Sequence, residues 1–147
     1  MRLVFGHDAA VADWVAAQIP HISSGSAFGP LAAIGVARDA ELVAGAVFHN
    51  YLPDHNVGEL SFAATTPRWA TKGVIRAILH VPFCQYRWRR LTAVTAHDNA
   101  AAQRLLSGLG FKREGTVREM FSSTPRRHGV VFGMLPKEYA ALIQRFG

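Results

Sequence analysis

Residues 59–73, which read E-L-S-F-A-A-T-T-P-R-W-A-T-K-G, compress a strand, a turn and the start of a helix into one short run. Leu60 and Phe62 alternate with Glu59 and Ser61 at the period of a strand; Thr65, Thr66 and Pro67 break the pattern, and a helix opens near Lys72. The first amides of such a helix have no intrahelical acceptors, and its dipole points the positive end outward. Strand, short loop and helix N-terminus therefore make an anion site that fits a diphosphate. A second run, residues 99–111 (N-A-A-A-Q-R-L-L-S-G-L-G-F), places Asn99 at the start of an Ala- and Leu-rich helix and Gly110 where a left-handed terminator belongs.

The rest of the chain reads as elements around these two. Residues 2–5 read as a short strand, and Asp8 is placed to cap a helix carrying Val11, Trp14, Val15 and Ile19 on one face until Pro20 stops it. The Ser- and Gly-rich residues 23–30 read as a mobile loop. Apolar runs at 31–37 and 42–50, separated by Arg38-Asp39-Ala40-Glu41, read as an antiparallel hairpin. After the central strand at 59–64, Val74, Ile75, Ile78, Leu79 and Phe83 recur at helical spacing, and Pro82 must end or kink that helix because it lacks an N–H and crowds the preceding turn. Residues 91–96 are β-rich, 128–135 read as the last strand, and 137–146 carry a helical pattern expected to cover a sheet edge. The expectation is one domain over residues 1–147, α/β (α+β), with a mixed, mainly antiparallel central sheet of six to seven strands and helices on both faces.

A net charge of +6 and a pI near 10.2 favour anionic partners: a phosphorylated cofactor, nucleic acid or an acidic protein surface. Basic residues gather at Arg87, Arg89 and Arg90 around Trp88 and at Arg126-Arg127-His128, while Arg104, Lys112 and Arg113 accompany the helix after Asn99. Each cluster reads as a solvated face or as a nucleic-acid contact, the solvated face being the commoner case. Trp69 and Trp88 read as core or rim aromatics, with Trp88 among its arginines open to stacking on a base. The single cysteine, Cys84, excludes an intramolecular disulfide and reads as a buried core thiol beside Phe83. The histidines show no ligand spacing with cysteine or carboxylate, so no metal is expected. No apolar run approaches the roughly 20 residues that span a bilayer. Residues 1–5 lead into a polar Gly6-His7-Asp8 turn rather than a signal peptide, and a soluble, cytoplasmic protein is expected.

On residues 59–73 and 99–111 the chain resembles the GNAT superfamily of N-acetyltransferases, and in particular small members of the kind often found in phage genomes. The family loop Gln/Arg-x-x-Gly-x-Gly/Ala, which cradles the pyrophosphate of coenzyme A, is matched by Arg68-Trp69-Ala70-Thr71-Lys72-Gly73 at its first and last positions, with Thr71 replacing the first glycine. Asn99 opening a helix, Gly110-Phe111 closing it and Glu114-Gly115 following it form the second match. The resemblance implies a GNAT-like fold and acetyl-CoA as cofactor. Phe62, Ala63 and Ala64 would lie along the pantetheine; Arg68, Trp69, Ala70, Thr71, Lys72, Gly73 and Val74 would surround the pyrophosphate; Asn99 and Arg104 would add contacts from the next helix. Asn99 reads equally well as a cap with no ligand role.

Acyl transfer to an amine of pKa about 10.4 needs a proton acceptor. Glu59 resembles the central-strand glutamate that serves as base in histone-type members, or else it faces solvent or pairs with an arginine. A backbone N–H within Phe62, Ala63 and Ala64 is implied as the group that polarises the carbonyl. Where many family members carry an acid tyrosine after the conserved Asn, this chain has Leu106; Tyr51, Tyr86 and Tyr139 are candidates to enter from elsewhere, and a thiol of pKa about 8.5 also leaves without an acid. His49-Asn50-Tyr51, at a strand end beside the central strand, supplies His49 and Tyr51 as candidate catalytic groups on the acceptor side, or is only the entry to the turn at 52–56. Three functions follow: an acetyl-CoA-dependent N-acetyltransferase acting on an amine by direct attack in a ternary complex; a Mom-like enzyme modifying a nucleic-acid base, with His49 and Tyr51 near a flipped base; or a catalytically degenerate coenzyme A-binding module. The acceptor, and whether the chain forms a homodimer, are left open.

Overall fold

The period-two stretch at the centre of the sequence becomes β4 (Val57–Ala64), and the other elements are arranged around it. The computed structural model, which describes residues 1–122 and 125–147, runs β1 (Arg2–Val4), α1 (Asp8–Gln18), β2 (Leu31–Arg38), β3 (Glu41–Leu52), β4, α2 (Lys72–His80), β5 (Arg90–Ala96), α3 (Ala100–Leu109), β6 (Lys112–Phe121), β7 (Arg127–Met134) and α4 (Pro136–Phe146). One sheet has the order β1-β2-β3-β4-β5-β7-β6. Its pairs are antiparallel except for β4 and β5, which run parallel because α2 carries the chain back across the sheet.

Alternation along the strands sends side chains to two cores. Val47 and Ala33 pack beneath Val11 and Val15 of α1, whereas Ala46, Phe48 and Leu60 join Ile75 and Ile78 of α2, Leu106 of α3 and Leu142 of α4. Close approach of α1 depends on missing side chains in the sheet: a Cβ on Gly45 would stand 2.6 Å from Val15 Cγ2. The mixed α/β sheet with helices on both faces is as expected, and its seventh strand, β6, lies at the sheet edge and is exposed along all but its last residue.

Several local expectations are corrected. Asp8 is not the cap of α1; the N-cap is His7, and Asp8 sits in the first turn, where its charge favours the helix dipole. Residues 23–30 are not a plain loop, since Gly25–Phe28 form a 3-10 turn whose Gly25 N–H donates to Asp13 Oδ1 (3.1 Å) and whose Phe28 is buried. Pro82 ends α2 by opening a wide π-type turn over Val81–Gln85. That turn exposes Cys84 instead of burying it, with Sγ 3.4 Å from the Tyr139 hydroxyl. Finally, α4 packs on α2 and on β7, an inner strand, so it covers a sheet face and not an edge.

Candidate active site

Leu60↔Ala93 is the last pair between β4 and β5, although β4 stays paired with β3 as far as Ala64 and β5 with β7 as far as Ala96. Held on their outer sides and free on their inner sides, the two strands diverge. Hydrogen bonds at the ends of β4 fix which peptide groups face the gap. The Asn56 carbonyl accepts from Arg89 N–H on the β5 side, and Thr65 N–H donates to the Val43 carbonyl on the β3 side. The register irregularity lies in β3, between His49 and Leu52, and β4 itself is regular from residue 59 to 64. Strict alternation therefore turns the N–H and C=O of Phe62 and Ala64 toward the space that β5 has vacated.

A cleft of about 900 Å³ occupies this gap. One wall is Leu60, Ser61, Phe62, Ala63 and Ala64, continuing through Thr65 and Thr66 to Trp69 and Ala70; the other is residues 93–96 with Asn99, Leu105 and Leu106 from α3. Trp69 is buried with its ring centroid 4.4 Å from that of Phe62, so it stiffens the wall behind the strand. Residues 18–21, Phe121 and Arg127 close the side nearest α1, where His21 stacks on Phe121 with centroids 3.9 Å apart.

Two threonines shape the loop that leaves the cleft. Thr66 accepts from Arg68 N–H (3.3 Å), and Thr71 is the N-cap of α2, accepting from Val74 N–H (3.2 Å). Thr71 thus does structural work that a glycine could not. The cap leaves the Lys72 and Gly73 amides at the open end of the helix, while Val74 has its amide in the cap and its side chain in the core. A Cβ on Gly73 would meet nothing within 4 Å, so open space lies over these amides. Arg68 and Lys72 are exposed beside them. A basic, amide-rich end leading into a long apolar slot fits a diphosphate followed by a pantetheine arm.

Of the cofactor residues expected from sequence, Phe62, Ala63, Ala64, Trp69, Ala70 and Asn99 line the cleft. Arg68, Thr71, Lys72 and Gly73 continue from its lining onto the start of α2. Arg104 is exposed on α3 and is not part of the lining. Asn99 caps α3, its Oδ1 accepting from Ala102 N–H (3.1 Å), while also lining the cleft. Gly110 takes φ +104°, the left-handed terminator that the sequence places there.

Across the β3–β4 ladder, His49 faces Glu59 and Val47 faces Ser61. His49 Nε2 is 2.8 Å from Ser61 Oγ and 3.9 Å from Glu59 Oε2. The irregularity in β3 places Asn50 at φ +55°, and its Nδ2 donates to Glu59 Oε1 (3.2 Å). Burial pushes the His49 imidazole below its ordinary pKa, and the Glu59 carboxylate opposes that shift. Tyr51 does not join this group: its exposed ring stacks on Trp88, 5.6 Å between centroids, and its hydroxyl donates to Asn56. Nor do the other tyrosines reach the cleft. Tyr86, at the end of the turn over Val81–Gln85, stacks on Trp88, and Tyr139 lies on Phe83, its hydroxyl pushed up to about 12 by burial and by Cys84. Leu106 is buried in the wall where the family tyrosine would stand.

Three arginines of the basic clusters are paired with carboxylates. Arg90 makes a two-pronged pair with Glu114, Arg126 pairs with Glu119, and Arg127 donates to Asp98 (2.7 Å). Trp88 is buried under the two tyrosines and offers no free face to a base. Neither feature favours a nucleic-acid surface. Among the described residues no His/Cys/Asp/Glu group is arranged to hold a metal, and no helix is long and apolar enough to cross a membrane. Ser61 and the His21–Phe121 contact escaped the sequence reading; alternation put Ser61 on the face of Glu59, but its link to His49 depends on the register of β3.

No family model matches the sequence. An uncharacterized N-acetyltransferase of Bacillus subtilis (strain 168), YoaA, is 28% identical over 107 residues, which cover 69% of this chain and 60% of that protein. The chain thus spans somewhat under two thirds of that relative's length. In structure it is similar to a spermidine N-acetyltransferase SpeG chimera from Vibrio cholerae and hSSAT, with a TM-score of 0.72 at 15% identity, covering 96% of this chain and 99% of the other. It is also similar to the ribosomal-protein-S18-alanine N-acetyltransferase from Escherichia coli, with a TM-score of 0.67 at 18% identity, covering 91% and 92%. By its sheet order, the parting of β4 from β5 and these likenesses, the chain has the fold of the GNAT acetyltransferases.

Proposed function

We propose that the protein is an acetyl-CoA-dependent N-acetyltransferase that transfers the acetyl group to a primary amine by direct attack in a ternary complex. The observation that carries this reading is the gap beyond Leu60↔Ala93, which runs from the free amides of α2 to unpaired peptide groups of β4. Bound acetyl-CoA would supply an activated thioester and a thiol leaving group. The Lys72 and Gly73 amides, with Arg68 and Lys72 as nearby cations, bind the diphosphate. Phe62 N–H is the donor placed to polarise an acyl oxygen in the gap, a contribution worth about 3 kcal/mol when such a donor is preorganised. Glu59 and His49 form the proton-accepting pair, with Asn50 holding the carboxylate toward the imidazole. Tyr51 has no role in this scheme, and no tyrosine acts as an acid; the thiol leaves at its own basicity.

Spermidine and a ribosomal-protein alanine, the amines named for the two structural neighbours, begin the panel of acceptors to be tried. Release of free thiol from acetyl-CoA that depends on one of a graded set of primary amines is the expected result. Tight binding of acetyl-CoA with no amine-dependent release across the panel would leave a coenzyme A-binding module.

A further inference from the structure

We infer that Ser61 is a catalytic residue of this site: its hydroxyl meets the acceptor amine and passes the amine's proton to His49. The inference rests on the acyltransferase reading and adds a residue to it. Glu59 and His49 hold the basic atoms, yet neither lines the cleft, whereas Ser61 does. Among the β4 residues in the wall, 60–64, Ser61 carries the only exchangeable side-chain proton. It sits one residue beyond the last β4–β5 pair, on the face shared with Val47 and α1, opposite the face where Phe62 meets Trp69. An amine held against that face of the β4 wall meets the Ser61 hydroxyl.

The transfer balances as two coupled steps. An N–H bond of the alkylammonium breaks as the proton joins Ser61 Oγ, while the hydroxyl's own proton leaves Oγ and bonds to His49 Nε2, 2.8 Å away. The amine becomes neutral and nucleophilic, Ser61 is unchanged, and His49 becomes an imidazolium 3.9 Å from the Glu59 carboxylate. This requires the free imidazole to carry its proton on Nδ1, so that Ser61 O–H donates to Nε2. Burial favours the neutral ring before transfer, and Glu59 favours the charged ring after it. Among the described residues Glu59 of β4 is the charged group within ion-pair distance of His49, and the 3-10 turn presents the Phe28 ring, 4.9 Å between centroids.

Ser61→Ala removes one oxygen and leaves the strand intact. With a primary alkyl amine as acceptor at neutral pH, turnover is expected to fall about 10²-fold. With hydroxylamine, which is already unprotonated there, turnover should change little, and acetyl-CoA affinity by calorimetry should stay the same. An alkyl amine turned over by Ser61→Ala at the wild-type rate overturns the inference while the acyltransferase reading stands. Independently of any acceptor, nitrogen NMR of the free protein, assigned with His49→Gln, should show Nε2 unprotonated at pH 7. A protonated Nε2 on a neutral ring overturns the relay even if no acceptor is found. Failure of the wild type to bind acetyl-CoA would instead strike the underlying reading.

Discussion

Ser61 Oγ and His49 Nε2 are 2.8 Å apart although 12 residues separate them in sequence, and the β3–β4 register is what brings them together. The third member of the group, Glu59, is directly opposite His49 in that register. Glu59→Gln keeps the shape and the acceptor oxygen but removes the charge that supports an imidazolium. Its turnover with an alkyl amine should fall on the order of 10²-fold at neutral and higher pH, the gap narrowing toward low pH, where Glu59 favours protonation of the wild-type imidazole first, with unchanged acetyl-CoA affinity. Rate–pH profiles of wild type and variant, superimposed, would remove Glu59 from the proton path.

Thr71 occupies a position where the family loop carries glycine, and it caps α2. Thr71→Ala should therefore cost about 1 kcal/mol of folding stability, a Tm decrease of roughly 3 °C for a chain of this size. A scanning-calorimetry Tm equal to that of the wild type would mean that the cap contributes nothing measurable.

Gly58 lies in the short parallel ladder against Leu91, and a Cβ there would stand 2.3 Å from the Trp88 ring. Gly58→Ala must displace either β4 or Trp88, at a cost of about 1–3 kcal/mol. Urea unfolding monitored by tryptophan fluorescence gives the figure, and an unshifted midpoint would contradict the packing described here.

The hydrogen bond from Arg90 holds the Glu114 carboxyl below its ordinary pKa, against a smaller upward push from burial. A carboxylate whose pKa is lowered on folding contributes stability that is present above its unfolded value and lost as pH falls through the folded one. Wild type should thus exceed Glu114→Gln in urea midpoint at pH 7, with the difference shrinking below about pH 4.5. Because the pair is substantially exposed, the difference should be modest. A gap that persists at pH 3 would point to a cause other than the ion pair.

Legibility in the sequence followed the range of the interactions. Strand alternation at 59–64, the helix start at Lys72, the Asn99 cap and the Gly110 terminator are local matters of period and backbone conformation, and each is where the sequence places it. Asp8 was misread because a capping side chain and a first-turn carboxylate look alike in sequence. The turn at Gly25–Phe28 was missed because Asp13, the acceptor for Gly25 N–H, is 12 residues away. In the site, Glu59 and His49 were visible as residue types, but their pairing and the part of Ser61 required a cross-strand register. The irregularity after His49, which sends Tyr51 toward Trp88, is likewise not visible in the residue pattern. The pairing of Arg90, Arg126 and Arg127 with Glu114, Glu119 and Asp98 was not legible because each partner lies in another strand or loop.

Calorimetric titration of acetyl-CoA into the wild type, Arg68→Ala and Gly73→Glu tests the central claim most directly. Gly73→Glu points a carboxylate into open space over the α2 amides, so it should fold normally, as its melting curve can verify, while repelling the diphosphate. The proposed cofactor site requires micromolar binding to the wild type that is weakened by Arg68→Ala and abolished by Gly73→Glu. No heat of binding with the wild type, or equal affinity for folded Gly73→Glu, would contradict it.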